Sequence, residues 1–493
     1  MSTLVIVDDL RDIPLEFKDV EIVAARTYLT DSKYAEMSSA KVFNLCRSYR
    51  YQSVGYYVSL LAAARGHKPI PNITTIQDLK SQTIVRIESE DLEKIIQKSL
   101  APLQTKEFVL SIYFGKNLAK RYDRLSIYLF KLFEAPFLRA HLLFNEKSGK
   151  WQLHNIRPIA VNEIPEDHRP FVIQVAHDYF VKRHTYIRRR VSSRYDLAIL
   201  YNPKENEPPS NSRALKHFVK AAESLGIASE LIEKDDYGRL AEFDALFIRE
   251  TTSVTNHTYR FARKALAEGL VVVDDPDSIL KCTNKVFLAE LLDKYKILTP
   301  KTVIVNRNNK NTITSMLGLP CILKRPDSSF SQGVIMAAKE EELRTHIETM
   351  LERSDLIIAQ EFISTPFDWR IGIFDRQPLF VCKYFMVENH WQIIKRDSKG
   401  IKTEDGVHET LPVEHAPTAL IRTALRSANL IGEGFYGVDI KQVGKRFYVI
   451  EVNDNPNIDA GVEDMILKDE LYLRIMRVIL RRIEQRKERG YYI

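Results

Sequence analysis

Three oxygen-bearing side chains near the C-terminal end of the sequence have the spacing of a metal site. Asp439 lies in one apolar run, and Glu451 and Asn453 lie in the next, with a short turn at residues 443–446 between the two runs. This arrangement predicts a β-hairpin. Because residues two apart in a strand share a face, Glu451 and Asn453 should face the same way. Asp439 should lie opposite Glu451 if the loop holds an odd number of residues.

The other face of this predicted hairpin is apolar, since Val438, Ile440, Ile450 and Val452 alternate with the polar residues. Two carboxylates held close together would repel and would need a cation between them. Oxygen ligands without His or Cys favour Mg²⁺ or Mn²⁺, and Mg²⁺ usually takes its remaining ligands from nucleotide phosphates. From spacing alone, an ordinary solvated hairpin face is an equally good interpretation.

With Asn455 and Pro456 added, the pattern resembles the metal-binding signature of ATP-grasp carboxylate–amine ligases, in the branch that contains RimK and glutathione synthetase. The resemblance covers roughly residues 195–480. It implies an enzyme that uses ATP and two Mg²⁺ or Mn²⁺ ions, with Asp439, Glu451 and Asn453 as metal ligands. Such an enzyme forms an amide bond through an acyl phosphate and releases ADP.

The resemblance also assigns residues to the nucleotide. Lys324 points off a predicted strand before a loop that contains Gly333, which suits phosphate binding because loop N–H groups and hydroxyls can close over the phosphates. Asp368 matches an acidic position that takes the ribose, and the segment 357–363 matches the one that receives adenine. The residues assigned to nucleotide binding are Lys285, Lys324, Ser331, Gly333, Gln360, Glu361, Ile363 and Asp368.

Three further residues are predicted to act in catalysis. Arg370 shares a strand face with Asp368 and could stabilise the oxyanion that develops during acyl transfer. Lys383, on the return strand, could support the transferred phosphate. Lys395 lies in a polar segment that we expect to form a lid over the site.

The order of elements predicts an α/β protein of three domains. Residues 1–190 form a separate α+β domain, which resembles the extra N-terminal domain of some RimK-like ligases. Residues 191–282 have the strand–helix–strand order of a parallel sheet and match the pre-ATP-grasp domain. Residues 283–493 would form the two-lobed ATP-grasp domain, which carries the nucleotide, metal and catalytic residues.

Arg249 follows one strand of the predicted parallel sheet. Ligands of such sheets bind at the carboxyl ends of the strands, so Arg249 could bind a substrate carboxylate. Its alternative role is a salt bridge with Glu250.

Composition limits the cellular setting. No apolar run approaches the roughly 20 residues of a membrane span, and the N-terminus has no basic segment typical of a signal peptide. The four cysteines are scattered, which suits reduced thiols in the cytoplasm. The net charge of +7 allows an anionic substrate but does not require nucleic acid. We therefore expect a cytoplasmic protein without membrane or nucleic-acid partners, which could form a homo-oligomer.

The predicted reaction joins an amino acid such as glutamate to the amine of an amino acid, peptide or protein. Two alternatives stay open at this point. One is an ATP-dependent small-molecule kinase that uses the same nucleotide site. The other is a non-catalytic nucleotide-binding scaffold organised around residues 1–190.

Overall fold

A computed structural model describes the chain over residues 2–12, 20–37, 40–79, 92–146, 148–187, 193–327, 333–388, 390–396 and 402–490. Its internal contacts divide the chain into two compact units. The first unit, here the N-terminal unit, comprises Met1–Asp196, Asp235–Phe243 and Glu484–Ile493. The second, the C-terminal unit, comprises Leu197–Lys234 and Asp244–Ile483.

The N-terminal unit contains a parallel sheet in the order β2-β1-β3-β4 and an antiparallel sheet in the order β5-β6-β7. The strands are β1 (Ser2–Val7), β2 (Val20–Ala24), β3 (Ala40–Asn44), β4 (Lys68–Ile70), β5 (Glu107–Tyr113), β6 (Phe137–Asn145) and β7 (Lys150–Pro158). The helices are α1 (Ala25–Thr30), α2 (Ser32–Ala35), α3 (Val54–Ala64), α4 (Ile73–Asp78), α5 (Glu93–Leu100), α6 (Asp123–Leu132) and α7 (Arg169–Ile187).

The C-terminal unit begins with a sheet in the order β11-β10-β8-β9, in which β10 is parallel to β8 and β11. The parallel sheet predicted from the strand–helix–strand order is therefore confirmed. Its strands are β8 (Tyr195–Leu200), β9 (Ile227–Ile232), β10 (Ala245–Ile248) and β11 (Val271–Val273). The helices of this part are α8 (Ser212–Ser224), α9 (His257–Ala267) and α10 (Pro276–Thr283).

Two antiparallel sheets follow, in the orders β12-β15-β13-β14 and β20-β17-β16-β21-β22, together with a small β18-β19 ladder. The strands are β12 (Thr302–Val305), β13 (Cys321–Lys324), β14 (Val334–Ala337), β15 (Ile357–Glu361), β16 (Phe367–Phe374), β17 (Gln377–Phe385), β18 (Ile394–Arg396), β19 (Lys402–Asp405), β20 (His408–Leu411), β21 (Phe435–Val443) and β22 (Arg446–Asp454). The helices are α11 (Lys285–Lys294), α12 (Ile313–Leu317), α13 (Glu340–Leu351), α14 (Thr418–Ile431) and α15 (Asp469–Gly490).

One face of the five-stranded sheet is covered by α14 and closes a hydrophobic core. Val438 and Ile440 of β21 and Val449 and Val452 of β22 are fully buried in this core. Because side chains alternate along a strand, the residues between them point to the opposite face. That opposite face carries the polar residues predicted to do chemistry.

The hairpin of β21 and β22 departs from simple alternation at one residue. Its loop is the two-residue turn Gly444-Lys445, since Val443 pairs with Arg446. Gly444 has φ +58°, as the first position of a II′ turn requires. The register then shifts, so that Ile440 pairs with Val449 while Asp439 pairs with Glu451.

The residue left over by this shift is Ile450, which forms a β-bulge. The predicted pairing of Asp439 with Glu451 is confirmed, but the odd-numbered loop proposed as its cause is wrong. The prediction that Ile450 joins the apolar face is also wrong. A bulge sends two successive side chains to the same side, so Ile450 is half-buried on the polar side with Glu451.

No described helix has the length and apolar character needed to cross a membrane.

Candidate active site

A cavity of about 750 Å³ lies within the C-terminal unit. Its walls come from the two antiparallel sheets, from the start of α11 and from the segment that follows β22. The predicted residues that line it are Lys285, Lys324, Gln360, Glu361, Ile363, Asp368, Arg370, Asp439, Glu451 and Asn453.

Charged residues form a row across three strands of the cavity floor, in which two neighbouring carboxylates lie between two cations. Arg370 of β16 pairs in register with Asp439 of β21, which pairs with Glu451 of β22. The Arg370 guanidinium donates from Nε and Nη2 to the two Asp439 carboxylate oxygens, at 2.7 and 2.8 Å. Glu451 accepts a close hydrogen bond from Lys285 Nζ at the start of α11. The row brings together residues that lie far apart in the sequence.

The electrostatics of this row favour anion binding beside it. Burial disfavours the charged form of Glu451, but Lys285 and Lys324 hold its pKa below the usual value. Burial lowers the pKa of Lys324 to about 8, although Glu451 opposes this shift. A phosphate beside Lys324 would therefore favour the protonated ammonium.

The side chains of Asp439, Glu451 and Asn453 fit a magnesium ion whose other ligands come from a nucleotide. Among the described residues, no group of three His, Cys, Asp or Glu side chains could hold a metal alone. The three residues instead offer two carboxylates and one amide, and Asn453 Nδ2 already donates to Asp439 at 3.1 Å. Mg²⁺ typically takes one or two carboxylates and obtains its other ligands from phosphates and water. The donor set suits that chemistry.

Asp368 is held on the cavity wall by a lysine that the sequence reasoning missed. Its Oδ1 accepts from Lys441 Nζ at 2.6 Å and from Thr365 Oγ1 at 3.2 Å. Burial raises the pKa of Asp368, although Lys441 favours the ionised form. Strand alternation could have identified Lys441, because it lies two residues after Asp439 on the same strand.

The segment predicted to receive adenine forms β15 and its continuation. The Gln360 side chain donates to Thr302 Oγ1 at 2.9 Å, and the Glu361 N–H donates to the Lys301 carbonyl at 2.9 Å. These bonds fix the strand against β12. Gln360, Glu361 and Ile363 line the cavity next to one another.

Lys383 is not brought to the cavity. Its ammonium pairs with Glu409 Oε2 at 2.8 Å and lies over the rings of Phe367 and Trp369, at 5.4 and 5.3 Å from their centroids. Among the described residues that line the cavity, its neighbour Tyr384 is present and Lys383 is not. We therefore remove Lys383 from the proposed catalytic residues.

The remaining predicted residues lie in or beside loops. Gly333 has φ +73° and precedes β14, and its carbonyl accepts from the Arg325 N–H at 3.1 Å. Lys395 lies in β18, where its backbone pairs with Glu404. Ser331 lies outside the described residues.

Arg249 is hydrogen-bonded to the segment that follows β22. It is almost fully buried and donates to Asn455 Oδ1 at 2.7 Å and to the Pro456 carbonyl at 2.9 Å. Burial lowers its pKa to about 10. Glu250 Oε2 lies 2.9 Å from His257 Nε2, so the salt bridge between Glu250 and Arg249 that was the alternative role is not formed. Arg249 therefore fixes the chain just after Asn453.

The sequence reasoning also missed Tyr384 and Glu463, which form a pair and both line the cavity. Tyr384 Oη donates a close hydrogen bond to Glu463 Oε1. Glu463 follows β22 in a segment without regular periodicity, so no strand or helix pattern could place it. On β17 the sequence analysis selected Lys383 and not its neighbour Tyr384.

Two family models match this chain. Residues 25–175 match the RimK-like ATPgrasp N-terminal domain, and residues 282–479 match the RimK-like ATP-grasp domain. The chain therefore belongs to the RimK-like ATP-grasp ligases. The predicted α/β fold class, with an added N-terminal domain before the ATP-grasp domain, is confirmed.

Among its relatives is the alpha-aminoadipate–LysW ligase LysX of Sulfurisphaera tokodaii, which is 28% identical over 261 residues that make up 49% of this chain and 86% of the relative. Another is a probable alpha-L-glutamate ligase of Syntrophotalea carbinolica, which is 27% identical over 256 residues, 51% of this chain and 79% of the relative. A solved RimK domain ATP-grasp protein from Sphaerobacter thermophilus aligns with a TM-score of 0.44 and 15% identity, over 58% of this chain and 99% of that one.

These relatives are ligases, so the chain is an ADP-forming carboxylate–amine ligase. It uses ATP to form an amide bond between a carboxylate and an amine. The family generally uses ATP and Mg²⁺. Ligase activity is thus favoured over the kinase and scaffold alternatives.

Proposed function

We propose that this protein joins the carboxylate of an acidic amino acid to the amine of an amino acid, peptide or protein, at the cavity of the C-terminal unit. The observation that carries the proposal is the charged row of Arg370, Asp439, Glu451 and Lys285 on one face of the sheet. The two carboxylates of this row can hold a metal ion and the two cations lie on either side of them. Such an arrangement can offset the repulsion between anions, which is the main obstacle when a carboxylate must attack a triphosphate.

The phosphate end of the site is assigned to Lys285 and Lys324. Asp439, Glu451 and Asn453 would hold magnesium, with two ions as in our expectation from the family. Bound magnesium neutralises phosphate charge and aligns the attacking and leaving oxygens. The two lysines add positive charge, which in a site closed to water is effective over short distances.

The adenosine end is assigned to β15 and β16. Gln360, Glu361 and Ile363 would contact adenine, and Asp368 would accept the ribose hydroxyls. The bond from Lys441 to Asp368 supports this assignment, because it holds the carboxylate in one position. Ser331 and Gly333 would contact the phosphates.

Arg370 is assigned to the acyl group. The substrate carboxylate attacks the γ-phosphorus of ATP, which gives an acyl phosphate and ADP, and the amine then displaces phosphate from the acyl carbon. A guanidinium held by two bonds to Asp439 needs little reorganisation to stabilise negative charge that grows on the acyl oxygen. Lys395 stays a proposed lid residue.

The substrate class comes from the relatives. One is named for alpha-aminoadipate and another for L-glutamate, which supports an acidic amino acid as the carboxylate donor here. We also keep as proposals the domain divisions near residues 190 and 282, a cytoplasmic location and a homo-oligomer.

The test is a screen of purified protein with ATP, Mg²⁺ and pairs of the twenty common L-amino acids. We expect phosphate release that depends on both partners, with one amide formed for each ADP, as measured by mass spectrometry. A stable phosphorylated product that forms without an amine would contradict the ligase and favour the kinase.

A further inference from the structure

The cavity wall contains a buried carboxyl group that the assigned roles leave unused. Glu463 is only 1% exposed, yet it lines the cavity together with Tyr384. Two half-buried carboxylates of the cavity floor are engaged by cations, Asp439 by Arg370 and Glu451 by Lys285. Glu463 is bonded instead by a hydroxyl and a backbone N–H.

These two bonds fix the Glu463 carboxyl group. Tyr384 Oη donates to its Oε1, and the Asp459 N–H donates to its Oε2 at 2.7 Å. The segment is also tied to β20, because Thr410 Oγ1 donates to the Val462 carbonyl at 2.7 Å. Tyr384 is half-buried and lines the same cavity as Glu463.

The pair lies beside the group assigned to the acyl oxygen. The Arg370 guanidinium carbon is 5.3 Å from the centroid of the Tyr384 ring. Both side chains lie on the cavity face of the sheet, since Arg370 pairs in register with Cys382 and Cys382 shares a strand face with Tyr384. An acyl group held by Arg370 would therefore be close to the Tyr384 hydroxyl.

The second half of the reaction needs a proton acceptor at this place. An amine that enters from neutral solution is an ammonium ion, which has no lone pair for attack. A side chain that takes its proton typically contributes about 10²–10⁴-fold to the rate. A carboxylate that is already paired with a lysine or an arginine is a poor acceptor.

We propose that Tyr384 and Glu463 form a proton relay for the acceptor amine, an inference that rests on the proposed ligase function. The ammonium gives one proton to Tyr384 Oη as the tyrosine passes its own proton to Glu463 Oε1. The nitrogen lone pair then forms the C–N bond, and the bond from the acyl carbon to phosphate oxygen breaks with its electron pair on phosphate. The second nitrogen proton leaves with that phosphate.

The surroundings of Glu463 suit this role. Burial raises its pKa to about 7, although the bonds from Tyr384 and the Asp459 N–H favour the ionised form. The carboxylate that accepts a proton therefore becomes populated as the pH rises through about 7. The titratable groups that act on Glu463 from its neighbours are Tyr384 and Cys382 of β17, Arg370 of β16, Arg249 after β10, Asp459 of its own segment and Tyr472 of α15.

The experiment compares two acceptors that differ in their need for a base. Hydroxylamine is unprotonated at neutral pH and traps the acyl phosphate as a hydroxamate, whereas an amino acid presents an ammonium. For Glu463→Gln and Tyr384→Phe at pH 7, we expect amide formation from amino-acid pairs to fall about 10²–10⁴-fold. Hydroxamate formation should change little. The amide deficit should shrink at high pH, where free amine is abundant.

The matched controls are Asp464→Asn and Tyr472→Phe. Tyr472 Oη donates to Asp464 Oδ2 at 2.9 Å, so these residues form a second hydroxyl–carboxylate pair, which does not line the cavity. Both controls should retain the two activities. A melting curve of each variant separates a loss of folding from a loss of chemistry.

The inference is wrong if the Glu463 and Tyr384 variants lose both products together, lose neither, or show a deficit that does not depend on pH. Failure of the proposed function has a different result, since the wild-type protein would then release no ADP with any acid.

Discussion

The two hairpins of the five-stranded sheet are built alike, but their bulges differ in what they do to the predicted site residues. In both, a two-residue turn is followed by a single bulge: Ile450 is the extra residue in the hairpin of β21 and β22, and Leu379 is the extra residue in the hairpin of β16 and β17. One extra residue turns every later side chain of a strand to the other face. The bulge at Ile450 places Glu451 opposite Asp439, whereas the bulge at Leu379 turns Lys383 away and brings Tyr384 to the cavity.

This difference teaches that the site depends on register as much as on residue type. Without the bulge in β17, the two-residue turn would place Lys383 opposite Asp368 on the cavity face, as its predicted catalytic role requires. Without the bulge in β22, Asp439 would face Ile450. Each hairpin can therefore be tested by changing residues on either side of its bulge.

The largest effect is expected in the hairpin of β21 and β22, which carries the proposed metal ligands. Glu451→Gln and Asp439→Asn each remove a ligand charge at nearly constant shape, so turnover should fall about 10³-fold or more, since metal chemistry contributes several kcal/mol. Phosphate release and the melting temperature should be measured on the same sample. We expect a folded protein in both cases.

The matched control for Glu451→Gln is Glu433→Gln. Glu433 also pairs with a cation, Arg376, but it is exposed and lies outside the cavity lining. Its variant should keep normal turnover. Unchanged phosphate release in Glu451→Gln would rule out the proposed metal site.

Arg370 connects the two hairpins, and its loss should have the next largest effect. Arg370→Ala should lower kcat about 10²–10³-fold while the KM for ATP moves little, as expected for a group that acts mainly on the transition state. Arg370→Lys should restore only part of the rate, because an ammonium cannot reproduce the planar pair of bonds to Asp439.

The alternative is that Arg370 only braces Asp439. In that case Arg370→Ala would lower the melting temperature and the affinity for ATP together, and the kcat loss would follow from misplaced metal ligands. Arg376→Ala, at the turn of the same hairpin, is the control for loss of an exposed ion pair.

The same two bulges explain which parts of this site could be predicted from the sequence and which could not. Alternation within one strand placed Asp368 with Arg370 and Glu451 with Asn453, because that periodicity is local. Pairing between strands depends on loop type and on bulges, which are set by packing of the whole sheet. The sequence could therefore not place Lys383 or Ile450 correctly, and it offered no pattern at all for Glu463.

Two isoleucines of one hairpin test the bulge in β22 directly. Ile440 is fully buried in the core beneath the sheet, so Ile440→Ala should reduce the free energy of unfolding by about 2–5 kcal/mol. Ile450 is half-buried on the cavity side, so Ile450→Ala should cost about 1 kcal/mol or less. Urea unfolding measures both variants. Equal losses would place Ile450 in the core and remove the bulge.

The smallest effect is expected for Lys383, and this null result tests the bulge in β17. Lys383→Met removes an ion pair with Glu409 in which the lysine is 21% and the glutamate 47% exposed, and pairs of this kind contribute about 0–1 kcal/mol. Its ammonium lies over the rings of Phe367 and Trp369, and a methionine side chain is long enough to contact the same rings. We therefore expect kcat for amide formation to stay within a few-fold of wild type, with the melting temperature little changed. Lys324→Met, which removes a lysine from the cavity, should instead abolish activity with the same amino-acid pair. If both lysine variants lose activity alike, the working enzyme places Lys383 in the cavity, and the proposed difference between the hairpins is wrong.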